Sequence, residues 1–162
     1  MVLIKMKKVN LEDVLEALEL QIEETNYYYH KKTGNIYMIM ESTFTSARRE
    51  KDIESYPDWQ QEKLKIAQDI LNTFDYIKLP EDNEIDDYAI MKNFCNSLEN
   101  EEIKDKLLAT IKGKGAFRRF KDNIHKFGIE DKWYEYREKA YREIAINWCE
   151  RNHIKSKTEE LD

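Results

Sequence analysis

Glycine, proline, cysteine and long apolar runs are all scarce in this chain of 162 residues, and each shortage excludes something. Four glycines and two prolines are too few for a linker, a collagen-like array or a disordered tract, even with 37% of the residues charged. The two cysteines, Cys95 and Cys149, have no CxxC spacing, which removes a disulfide framework and a zinc knuckle and suits a reducing cytoplasm. No apolar stretch approaches the ~20 residues that cross a bilayer, so no membrane contact is expected. The opening Met1-Val2-Leu3-Ile4 run meets Lys5 before an h-region can form, so no signal peptide is expected. His30, His125 and His153 lie far apart and make no HxH, HxxxH or HExxH pattern; no metal and no cofactor is expected.

What the chain does contain is aromatic and charged. Its length fits one domain that buries roughly two-thirds of its unfolded surface. The expectation is a single globular domain over residues 1–155 with a frayed tail at 156–162. The net charge of -6 argues against a protein that coats nucleic acid or anionic membrane non-specifically. That charge is uneven. Residues 81–102 hold eight acids and one Lys, whereas residues 111–126 hold Lys112, Lys114, Arg118, Arg119, Lys121 and Lys126 against Asp122 alone.

Hydrophobic spacing predicts helices with one sheet fragment among them. Asn10 caps a helix carrying Leu11, Val14, Leu15, Leu18 and Ile22 and ending near Glu24. Tyr27 to His30 and Ile36 to Met40, joined through Gly34, predict a β-hairpin. On it Tyr28, Tyr37 and Ile39 form an uncovered face that would invite homodimer pairing at the edge. Residues 42–56 show little periodicity and predict an exposed loop or lid. Pro57 and Asp58 open a helix with Asp58 and Gln61 at capping-box spacing and Leu64, Ala67, Leu71 and Phe74 on its inner face. Tyr76 to Leu79 adds a short strand. Helices follow to the end, with Asn100 as a cap, a break at Gly113-Lys114-Gly115, and Gly128 closing a short helix whose Phe117, Phe120, Ile124 and Phe127 face the core. The sum is an α+β fold, mainly α, with about six helices around a small hairpin-based antiparallel sheet.

Leu11 to Gln21, the Pro57-Asp58-Trp59 helix start, the string Gly113-Lys114-Gly115-Ala116-Phe117-Arg118-Arg119-Phe120-Lys121-Asp122, and Trp133-Tyr134 with Trp148-Cys149-Glu150 are familiar together. They resemble an uncharacterised bacterial protein family, number one-five-eight in the UPF series, over nearly the whole chain from Met6 onward. The resemblance implies a bacterial cytoplasmic single domain and carries over no catalytic residue.

Chemistry is then argued from the residues. A glycine turn feeding a helix start presents backbone N–H groups, and Lys112, Lys114 and Arg119 set full charges beside them. Lys112, Gly113, Lys114, Gly115, Ala116, Phe117 and Arg119 therefore form the candidate anion site. Arg118 has Asp122 four residues on as a pairing partner, which leaves Arg119 as the freer cation. Leu108 and Gly115 occupy the places of the first glycine and the Ser/Thr of a Walker A loop, and Arg118 that of the third glycine of a dinucleotide fingerprint, so the segment is neither. The plain alternative is a helix end, a tight turn and a solvated cationic face. Both cysteines neighbour apolar residues and suit buried thiols. No GxSxG elbow is present. A stacking platform of Tyr27, Tyr28, Tyr29, Trp133 and Tyr134 competes with the simpler use of tyrosines at core edges. The reading is a non-catalytic binding or regulatory module that meets RNA, a phosphorylated ligand or an unidentified protein, with RNA or phosphate held by the turn from Lys112 to Lys121. The alternative is a small hydrolase with its site between residues 42–56 and that turn.

Overall fold

In the computed structural model, which describes residues 6–49, 52–81 and 84–157, the Asn10 carboxamide accepts the Glu12 N–H at 2.9 Å and caps α1 (Leu11–Glu19). The helix buries Leu11, Val14, Leu15, Ala17 and Leu18. It stops at Glu19 rather than near Glu24, because Leu20 leaves the helical region at φ -91° and ψ 71°; Ile22 is exposed in consequence, and Glu24, at φ 58°, turns the chain into a strand. The opening run Met1 to Lys5 lies outside the described residues.

The β-formers pair as predicted. β2 (Thr25–His30) and β3 (Ile36–Met40) are antiparallel, with Tyr28 opposite Tyr37, and β4 (Tyr76–Lys78) joins the other side of β2 to give the order β3-β2-β4. Gly34 is needed in the connection twice over: its φ is 80°, and a Cβ there would sit 2.6 Å from the Lys8 carbonyl oxygen. The uncovered face predicted for Tyr28, Tyr37 and Ile39 is in fact covered. Ile39 is buried against Phe44 and Ala67, with both tyrosines packed around them.

Residues 42–56, predicted as a loop, are largely helical. α2 (Glu41–Ala47) follows β3 directly, a 3-10 turn spans Ile53–Ser55, and Glu50 and Lys51 lie outside the described residues. α2 buries only Phe44, with Ala47 packed against the same cluster, too little apolar signal to show a period. α3 (Asp58–Asn72) buries Leu64 and Ala67, but Leu71 is exposed and Phe74, beyond the helix end, is 91% exposed. Its capping box does not form. Asp58 is already helical and caps no backbone N–H, and Gln61 Nε2 donates to the Tyr56 carbonyl at 2.9 Å and to the Asp58 carboxylate at 3.3 Å.

The remaining elements are helical except for a short last strand. α4 (Asp87–Ser97) and α5 (Glu101–Thr110) are capped by Asp86 and Asn100; α6 (Ala116–Lys126) and α7 (Glu130–Arg151) follow. At the end of α6, Gly128 (φ 67°) donates to His125 and Ile129 to Ile124, the paired bonds of a Schellman motif. His153 (φ 58°) does the same after α7, with Ile154 donating to Cys149, and returns the chain to β5 (Ser156–Lys157). Ser156 and Lys157, placed in the frayed tail, pair in parallel with Val9 and Asn10 of β1 (Val9–Asn10). Residues 158–162 lie outside the described residues.

Seven α-helices and a three-stranded antiparallel sheet among the described residues make the fold α+β and mainly α. The chain divides into two compact units, one up to Glu81 and again from Ala145, the other from Asp82 to Ile144. The first holds the sheet; Tyr29 and Trp148 meet edge to face at 6.0 Å in its core, and the Trp148 indole donates to the Lys78 carbonyl at 2.9 Å. The second is helical, around Met91, Phe94, Leu107, Phe120, Ile124 and Trp133.

Candidate cationic turn

The turn between α5 and α6 is built from two left-handed glycines, Gly113 at φ 79° and Gly115 at φ 78°. It is fastened by Arg119. The guanidinium donates through Nε to the Thr110 carbonyl at 2.8 Å, through Nη1 to Lys114 at 2.6 Å and through Nη2 to Lys112 at 2.7 Å. α5 has no basic side chain in its own last turn, so Arg119 supplies from the next helix the cation that this dipole end favours. A Cβ on Gly115 would lie 3.0 Å from Nη1, so the glycine also makes room for the clamp. Arg119, expected as the freer cation, is the engaged one. Its planar fork satisfies carbonyls that the two positive-φ residues leave without backbone donors.

The charges that remain at the surface belong to Lys112, Lys114, Arg118 and Lys121, all exposed. The Arg118–Asp122 pair does not form, and none of the four enters an ion pair among the described residues. α6 begins on Gly115 with no side-chain cap and no acid in its first turn, whereas α1, α4, α5 and α7 all carry acids there. A helix start holding cations and no acid is electrostatically mismatched, and an anion would relieve it. Phe117 is the second surprise. The buried face runs Ala116, Phe120, Ile124, and Phe117, predicted as core, is 44% exposed. At ~100° per residue Phe117 lies roughly 60° from the centre of that face, at Phe120, and the small Ala116 takes the inner position. Phe117 therefore stands on the same surface as Lys121, one turn on.

A family model described as Uncharacterised protein family (UPF0158) matches residues 6–162. The chain belongs to that family. No curated protein and no solved structure matches it. For this member of UPF0158 the site therefore rests on its own geometry.

The other candidates from the sequence fall elsewhere. No group of three or more His, Cys, Asp or Glu side chains able to hold a metal ion exists among the described residues. No described helix is long and apolar enough to cross a membrane. Tyr29 and Trp133 are buried in core, which removes them from a stacking platform. Cys95 and Cys149 are buried and free, and burial pushes each thiol up to about 11. Burial likewise raises Tyr27, Tyr28, Tyr29, Tyr76 and Tyr141, helped by hydrogen bonds to Asp69 at Tyr76 and to Asp87 at Tyr141. The folded chain thus holds these protons more tightly than the unfolded one. Their stabilisation is complete below the ordinary values of 9.0 and 10.0 and is lost as pH rises through the folded ones. The urea midpoint is expected to fall between about pH 9 and pH 11, and a midpoint that holds or rises there contradicts this.

Beside the free edge of β3 lies a cavity of about 330 Å³ whose lining includes Met38, Met40, Ser46, Trp59, Lys63 and Leu64. Its signal was legible, since Ile36 to Met40 are apolar on both faces of a strand whose neighbours cover one.

Proposed function

We propose that the chain is a non-catalytic binding module whose α6 surface holds single-stranded RNA, with phosphates on Lys112, Lys114, Arg118 and Lys121 and a base stacked on Phe117. The observation that carries this reading is the exposure of Phe117 among cations that have no acidic partner. An aromatic face beside backbone-tracking charges is the arrangement that holds single strands without sequence preference. The clamp supports it too. By fixing the turn through Arg119, the fold sets the Ala116 and Phe117 N–H groups in one orientation before a ligand arrives. Buried free cysteines support a cytoplasmic setting, and the family resemblance supports a bacterial one.

Fluorescence anisotropy with a labelled oligouridylate tests the reading. Binding should weaken with salt at a slope between about -2 and -3 in log K against log[salt], from about three or four phosphate contacts. Lys114→Gln with Lys121→Gln should flatten that slope by about 1.4. Phe117→Ala should weaken binding roughly tenfold and leave the slope alone. A phosphorylated small ligand held by the N–H groups would ignore Phe117→Ala. Absence of salt-dependent binding sinks the proposal.

A further inference from the structure

β3 is an edge strand, and the hydrogen bonds at its two ends fix which of its backbone groups are free. His30 donates to Asn35 and Glu41 to Glu24, so the bonded pairs with β2 are those of Tyr37 and Ile39. Ile36 and Met38 therefore turn their N–H and C=O groups outward, and Met40 its N–H, while the Met40 carbonyl belongs to the first turn of α2. Of these outward groups, the Met38 carbonyl accepts from Lys63 Nζ at 3.2 Å. A lysine laid on an edge is a common guard against unwanted pairing, and here it is one exposed, movable side chain.

The side chains of Met38 and Met40 stand exposed on one face of the same strand, and Trp59 at the start of α3 is 76% exposed beside them. Together they line the cavity of about 330 Å³, against roughly 150 Å³ that suffices for a benzene ring. The only charge in the lining is Lys63. Methionine and tryptophan give the wall adaptable, polarizable contact.

We infer that this edge receives an extended acidic-apolar peptide segment of a partner protein, added to β3 as a further strand. The outward ladder calls for a strand, the cavity for one large apolar side chain, and Lys63 for a carboxylate near it. As the segment pairs with Met38, the ammonium leaves the carbonyl and meets the carboxylate. A second copy of this chain fits less well, because pairing β3 with its twin would bring the second Lys63 to a groove already holding one.

The test selects binders to the full chain from a random heptapeptide phage library. The expected sequences alternate, with an aromatic or large aliphatic residue and an Asp or Glu on nearby positions. Synthetic copies should shift and protect the Met38 and Met40 amides in 15N NMR. Lys63→Glu, an exposed change, should weaken them about tenfold, and a Glu-to-Lys peptide should recover binding to that variant. Selected peptides without the pattern, or binding that ignores the charge at Lys63, overturn the proposal. So does a dimer in light scattering with the edge amides already protected without peptide.

Discussion

Replacing Phe120 with alanine should lower stability by about 3–5 kcal/mol, while the same change three residues earlier, at Phe117, should cost less than about 1 kcal/mol. Phe120 is 1% exposed and meets Trp133 at 4.8 Å and Phe94 at 6.0 Å, both edge to face. Its removal leaves a cavity in a helical core that cannot close without moving α4 or α7. Phe117 has no comparable enclosure. Urea unfolding monitored by near-ultraviolet circular dichroism separates the two. Equal losses would mean that Phe117 is core after all and cannot serve as a ligand contact.

Arg119→Ala is expected to cost about 2–4 kcal/mol, although the residue is only half-buried. Three carbonyls lose a charged donor at once, and Gly113 and Gly115 hold them in a turn with few other bonds. Arg119→Lys should recover only part, since one ammonium cannot reproduce a fork aimed at Thr110, Lys112 and Lys114. Gly115→Ala should show a smaller loss of the same kind, from its φ of 78° and the 3.0 Å approach of Nη1. A drop below about 0.5 kcal/mol for Arg119→Ala would show that the turn stands without its clamp.

Much of this architecture was legible in the sequence because its signals are local. Asn10 and Asn100 mark helix starts by a short side chain before an apolar period, and Gly34, Gly113, Gly115 and Gly128 mark places where φ must turn positive. The cationic segment was likewise visible as a run of charge. The roles inside it were not. Arg119 was misplaced because its acceptors include Thr110 of another helix, and a charge pattern records neighbours along one helix rather than carbonyls across a turn. The absence of any basic residue in the last turn of α5 was the available clue. Phe117 was misassigned because size was weighed above phase: Ala116 is small but sits on the buried face. α2 stayed hidden because a seven-residue helix with one buried side chain shows no period.

The most direct test of the division between Arg119 as clamp and Phe117 as contact is a 15N-edited NMR titration of the full chain with oligouridylate. The account predicts that the amides of Lys114, Ala116, Phe117, Arg118 and Lys121 shift progressively, while the Arg119 Nε–H resonance, held by the Thr110 carbonyl, stays in place. Shifts confined to other parts of the chain, or an Arg119 Nε–H that moves with the ligand while Phe117 does not, would contradict it.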